Sequence, residues 1–293
     1  MFLFRRSTLS TVQKGDVKMA VSVDVLLSTY NGQQYLPDFI KSMENIEFNS
    51  LTIRVRDDFS SDKTLEIISH WAIYSKHKLC IEPTNFIQNM GWKRSFDSLI
   101  RLSKADIVFF ADQDDIWHPN KIKSVVASMM LNDGPTLVVH NANIIDGNNA
   151  EISSNRLLGF DSLPISIKNS QNITGGLYGC CIAVNRQLID MYIDCDYGKI
   201  LGHDCVLTIL ALISGKIIYI DKPLISWRSH PFNSSYKVGF INRFKQLNFL
   251  LNISKFEVLA SSKNFKTNLF KVLYVFLRKL KFLIIKKLFK KAA

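Results

Sequence analysis

Asp106-Ile107-Val108-Phe109-Phe110-Ala111-Asp112-Gln113-Asp114-Asp115-Ile116-Trp117 is the stretch on which the fold turns. Its unbroken apolar run has the pattern of a strand buried on both faces, as in a parallel sheet covered by helices. That strand runs directly into three carboxylates. In open α/β sheets ligands bind beyond the carboxyl ends of strands, so these aspartates stand where chemistry is expected. Clustered carboxylates repel one another and call for a cation or strong hydrogen-bond donors. Oxygen ligands favour Mg2+ or Mn2+, and a hard cation on one or two carboxylates keeps positions for substrate phosphates. An acidic loop at a helix start is the plainer reading, with Asp115 favoured by the helix dipole.

On either side of this stretch, apolar runs of strand length alternate with helix-length amphipathic segments, the signature of β-α-β units. Strands are expected at Val23 to Ser28, Leu51 to Asp57, Lys78 to Glu82, Asp106 to Ala111 and Thr136 to Asn141. Helices are expected at Tyr35 to Asn45, Lys63 to Lys76, Lys93 to Ser103 and Pro119 to Leu131. The pattern loosens after Asp146-Gly147-Asn148-Asn149, a turn cluster, through about Lys168. It resumes at Ile173 to Val184, followed by helices from about Arg186 and from Asp204 to Ile213, and strands near Lys216 to Ile220 and Leu224 to Arg228.

The chain has 293 residues and 47% hydrophobic content, enough for one large core with an appendage. Its net charge of +12 is unevenly placed. Residues 236–293 carry 14 Lys or Arg against Glu257 alone, so the body is nearly neutral. A neutral body argues against a broad nucleic-acid surface. The tail resembles helices that lie in a membrane interface, drawn by anionic lipids. Its longest apolar run, Val272 to Leu277, is far too short to span a bilayer. Three regions are therefore expected: an extension at 1–18 with Met19 as a candidate start, an enzyme domain at 19–235, and the basic amphipathic tail at 236–293. Cys80, Cys180, Cys181, Cys195 and Cys205 lack paired C-x-x-C spacing and read as reduced core residues. With no secretory pattern at the start, a cytosolic environment is expected.

Three further constellations carry chemistry. Ser28-Thr29-Tyr30-Asn31-Gly32 and Arg56-Asp57-Asp58 end adjacent predicted strands, where a base could stack on Tyr30 while a carboxylate takes a ring N–H. Gly202-His203-Asp204 opens a helix, and Asp204 is either its cap or a general base facing an acceptor hydroxyl. Trp227-Arg228-Ser229-His230 delivers a histidine and an arginine from a strand end. Neither G-x-G-x-x-G nor a P-loop pattern is present.

Taken in order, these stretches resemble a family 2 glycosyltransferase of the GT-A fold, in the bacterial rhamnosyltransferase-like branch. The resemblance rests on Val25 to Gly32, Arg56 to Thr64, Asn89 to Phe96, Phe109 to Trp117 with Pro119 to Lys121, Gly179 to Arg186, His203-Asp204 and Pro223 to His230. It implies an α/β fold with a Rossmann-like, mainly parallel sheet, and inverting transfer of a sugar, with rhamnose one candidate, from a nucleotide diphosphate to an acceptor hydroxyl. Thr29, Tyr30, Asn31 and Asp58 would hold the base, with Asp57 beside them. Lys93 or Arg94 would approach the diphosphate, and Asp112 with Gln113 would face the donor. Asp114 would bind Mn2+ or Mg2+, with Asp112 or Asp115 sharing it and His230 completing the shell, and Asp204 would be the base. The pattern departs where aromatic residues often follow the base, since Cys205-Val206 stand here, so acceptor contacts do not carry over. The implied setting is surface polysaccharide synthesis on a lipid-linked saccharide, at the inner face of the cell membrane. The competing readings are a sugar-phosphate nucleotidyltransferase, disfavoured by the single glycine after the first strand, and a nucleotide-sugar binding protein without transfer.

Overall fold

A computed structural model describes residues 21–83, 87–153, 177–231, 233, 252, 269–270, 272–274 and 277. Within them the chain alternates β1 (Val23–Thr29), α1 (Leu36–Glu44), β2 (Leu51–Asp57), α2 (Thr64–Tyr74), β3 (Lys78–Ile81), α3 (Trp92–Leu102) and β4 (Ile107–Asp112). There follow β5 (Ile116–Trp117), α4 (Lys121–Met129), β6 (Thr136–Ile145), β7 (Glu151–Ser153), β8 (Ile182–Asn185), α5 (Arg186–Cys195), α6 (Gly198–Leu201), α7 (His203–Ser214) and β9 (Lys216–Arg228).

One sheet collects all nine strands in the order β3-β2-β1-β4-β8-β6-β9-β5, with β7 on β6. The long ladders β1 with β2, β1 with β4 and β6 with β9 are parallel. The chain runs outward from β1 through β2 to β3 and returns to β4 on the other side of β1. That reversal opens a crevice at the carboxyl ends of β1 and β4, the place where such sheets bind ligands. Register puts Ser28 beside Asp112 and Thr29 beside Asp57 at its floor.

The walls of the crevice are rigid because both central strands are buried on both faces. Val25, Leu26 and Leu27 in β1 and Val108, Phe109 and Phe110 in β4 have no exposed surface. Phe39 of α1 meets Trp71 and Trp117 edge-on, an arrangement worth about 0.5–1.5 kcal/mol per pair beyond the area it buries.

The expected helices and strands are present, most with edges moved by a residue or two, while β6 runs past Asn141 to Ile145. Lys216 to Arg228 form one strand, where two were expected. Pro223 has no N–H to give the ladder, and the register with β6 slips there without ending the strand. The short strands β5 and β7 were not expected: β5 is made by pairing with the distant β9, while β7 forms a hairpin with the end of β6 across the turn at Asp146 to Asn149.

Segment 1–18, the loop near Lys168, Ile173 to Gly176 and most of 236–293 lie outside the described residues. Of the tail, Leu269 and Val272 are buried in the main core, while Phe270, Tyr274 and Leu277 face outward.

Candidate active site

The end of β1 is held from both sides. Gln113 accepts from the Tyr30 N–H at 2.9 Å and donates to the Tyr30 carbonyl at 2.9 Å, binding the β4 end to the β1 end. Thr29 donates to Asp57 at 2.8 Å, and Asp57 also accepts from the Ser60 amide and hydroxyl. Asn31, at φ +46°, accepts from the Ser61 amide, and the Asp58 carboxylate accepts from the amides of Met90 and Gly91. Thr29, Asn31, Asp57 and Gln113 thus use their side chains to shape the crevice, leaving the Tyr30 ring as its open surface, 46% exposed. Phe59, which the sequence reading passed over, is also exposed and sits at φ +72°, a conformation costly for an aromatic residue and common at ligand clamps.

The carboxylates that follow β4 divide into two groups. Asp114 is partly exposed, and His230 Nε2 lies 2.7 Å from its Oδ2. Asp115 is buried: its Oδ1 accepts from the Arg228 amide at 3.1 Å, and its Oδ2 has no partner. Burial, and then the charge of Asp114, push the Asp112 carboxyl up to about 7. Asp115 is driven well above the ordinary carboxylate range by burial and by the charges of Asp114 and Asp112.

Two buried cations hold this segment, and sequence reasoning assigned neither a role. Arg228 donates to the Asp114 carbonyl at 2.7 Å, to Asn149 at 2.6 Å and to Asp38 at 3.2 Å, and lies over the Tyr35 ring. Tyr35 in turn packs 5.0 Å from the His230 ring, so one arginine sets both Asp114 and His230. Lys121 donates to the Cys180 carbonyl at 2.8 Å and lies 3.5 Å from the centre of the Trp117 ring. Burial lowers its ammonium to about 8 against the pull of the surrounding thiols and carboxylates.

Asp204 opens α7, where its carboxylate accepts from the Cys205 amide at 2.8 Å. Burial pushes its carboxyl up to about 7, with that amide and Lys93 opposing. Its charge adds to the rise at Asp112. Lys93 donates to the Ile200 carbonyl at 3.1 Å and its ammonium lies 5.6 Å from the Trp92 ring, while Arg94 is exposed.

Gly202 joins α6 to α7 at φ +95°, and a Cβ there would meet the Trp92 ring at 2.6 Å and Asp204 Oδ1 at 2.9 Å. The Trp92 indole and the Asp204 carboxylate therefore flank one point, an aromatic wall beside a carboxylate that the sequence did not reveal. His203 is packed between Phe110 and Phe96 and is held neutral by burial, down to about 3. It anchors the start of α7.

The donor set fits a hard divalent cation. Asp114, the adjacent His230 imidazole and the neighbouring Asp112 carboxyl, with its raised proton affinity, form a set that positive charge would relieve.

Residues 24–192 match the profile of the family described as glycosyl transferase family 2. An uncharacterized glycosyltransferase of Nostoc sp. is 27% identical over 224 residues, which are 73% of this chain and 66%, just under two thirds, of that relative. The dTDP-rhamnosyl transferase RfbG of Shigella flexneri is 26% identical, covering 77% of this chain and 79% of its own. Among solved structures, Staphylococcus aureus TarS 1-349 in complex with UDP-GlcNAc superposes with a TM-score of 0.64 at 17% identity, over 87% of this chain and 71% of that one. The mannosyltransferase PcManGT of Pyrobaculum calidifontis, in complex with GDP-Man and Mn2+, gives 0.53 at 16% identity, over 86% and 69%. The expected GT-A fold is the one these structures share with the chain.

Proposed function

Because this chain belongs to glycosyl transferase family 2, we propose that it is a metal-dependent inverting transferase in which Asp204 takes the proton of an acceptor hydroxyl. One observation carries the reading. A carboxylate whose proton affinity is raised to about 7 stands within electrostatic reach of an acidic group suited to a cation, across a crevice at the switch point of the sheet.

The donor lies in the crevice between β1 and β4, its base against the Tyr30 ring and within reach of Asp58, its diphosphate toward Lys93 and Arg94. Asp114 and His230, with Asp112, hold Mn2+ or Mg2+. When bound, that cation neutralises charge on the departing diphosphate. Asp204 serves the opposite side: near neutral pH it is ionised often enough to accept a proton and basic enough to hold it. Trp92 provides the apolar wall on which an acceptor ring rests beside Asp204.

A rhamnosyl donor is favoured by the similarity to RfbG. A lipid-linked saccharide acceptor is favoured by similarity to an Escherichia coli glucosyltransferase, WfgD, named for a diphosphoundecaprenol substrate, 21% identical over 58% of this chain. Among the described residues no helix is long and apolar enough to cross a membrane. The basic tail, with Phe270 and Tyr274 facing outward, would bring the enzyme to an anionic membrane surface on the cytoplasmic side. The test is a thermal-shift and hydrolysis screen of the purified protein against dTDP-, UDP- and GDP-sugars, with and without Mn2+. Stabilisation by one donor that vanishes on chelation is expected; indifference to every donor would contradict the reading.

A further inference from the structure

The fully buried Asp115 takes no part in the mechanism above, yet it retains an oxygen without a partner. Leaving such an atom unsatisfied costs about 1–3 kcal/mol, more for a charged group, and native structures keep few of them. Around it stand Asp112 and Cys180, and one ligand atom from each of the three residues lies within 4.8 Å of the others. Asp114 and His230 are not in this set. Cys180 belongs to a short 3-10 turn, Gly179–Cys181, and its carbonyl accepts from the Lys121 ammonium.

We propose that Asp112, Asp115 and the Cys180 sulfur form an inner site for a thiophilic divalent cation, Zn2+ or Cd2+, whose occupation inhibits the enzyme. The thiol distinguishes this set from the Asp114–His230 pair, because sulfur favours soft cations over Mg2+ and Mn2+. On binding, the Cys180 proton and any proton held by Asp115 or Asp112 pass to solvent, and the thiolate and carboxylates become the ligands. Two carboxylates and a thiolate beside the Lys121 ammonium then carry a net charge of −2, which a divalent cation neutralises within the buried pocket. Inhibition follows because Asp112 is common to the inner site and the donor crevice. That inhibitory half rests on the proposed transferase reading; cation binding does not.

The test adds Cd2+ to metal-free full-length protein in which Cys80, the one cysteine that is not buried, has been replaced by Ser. Ultraviolet thiolate-to-cadmium absorption should saturate at one equivalent. It should persist in Cys181→Ala, disappear in Cys180→Ser, and need at least tenfold more Cd2+ in Asp115→Asn, whose thiol is intact. Mn2+-supported donor hydrolysis, each variant scaled to its own cadmium-free rate, should fall with Cd2+ in the parent and hold in Cys180→Ser. Absence of the band, or an equal band in Cys180→Ser, overturns the site. Equal inhibition in both proteins overturns its inhibitory role. A normal band in a protein that hydrolyses no nucleotide sugar would leave the site standing and refute the transferase reading instead.

Discussion

His230 Nε2 lies 2.7 Å from Asp114 Oδ2, joining residues 116 positions apart at the mouth of the crevice. An imidazole and a carboxylate this close can share one cation. His230→Ala should weaken Mn2+ binding by about 10- to 100-fold, and donor binding with it. Calorimetric titration of Mn2+ into both proteins checks this, and unchanged affinity would remove His230 from the metal shell.

Gly32 is confined by the same bridge that fixes Tyr30. A Cβ at Gly32 would stand 2.2 Å from Gln113 Oε1, an atom already accepting from the Tyr30 amide. Gly32→Ala should therefore break the bridge and raise the donor KM by about tenfold, with a stability loss of about 1–3 kcal/mol. Steady-state kinetics with a denaturation curve separates the two effects.

The proton affinity of Asp204 carries a sign that stability measurements can read. An aspartate titrates near 3.8 when unfolded, but here its carboxyl is raised to about 7. The folded state holds the proton longer, so stability is present at low pH and is lost as pH rises toward and through about 7. Asp204→Asn removes that loss. The variant should match the parent near pH 4 and exceed it at pH 8, by about 1–3 kcal/mol. Urea denaturation at both pH values decides it; a parent that is more stable at pH 8 would show that burial does not raise this group.

The outward residues of the tail give the membrane proposal a test that spares the core. Phe270 and Tyr274 are 70% and 66% exposed, whereas Leu269 and Val272 are buried. The double substitution Phe270→Ser with Tyr274→Ser should abolish co-sedimentation with phosphatidylglycerol vesicles and leave the melting temperature unchanged. Retained sedimentation would mean that this face does not meet lipid.

The parts of the site legible in the sequence were those written locally. The buried run of β4 with its aspartates, the turn after β1 and the acidic start of α7 each announce themselves within about ten residues. Groups that act across the fold left no such mark. Gln113 holds Tyr30 across 83 positions, Arg228 reaches Asp38 across 190, and Trp92 meets Gly202 only after α3 and α6 have packed. Lys121 stood out only as part of the matching stretch from Pro119, because nothing local says that its ammonium is buried over Trp117. β5 escaped for the same reason, being defined by its pairing with β9.

In the proposed reaction Asp204 works on the acceptor while a cation on the other side of the crevice holds the donor. Asp204→Asn keeps the shape of the side chain and its bond to the Cys205 amide but removes the base. Mn2+-dependent binding of the donor identified by the screen should remain within about threefold of the parent, while the chemical step in single turnover should fall by about 10²- to 10⁴-fold. Sugar transfer by Asp204→Asn at the parent rate would contradict the account.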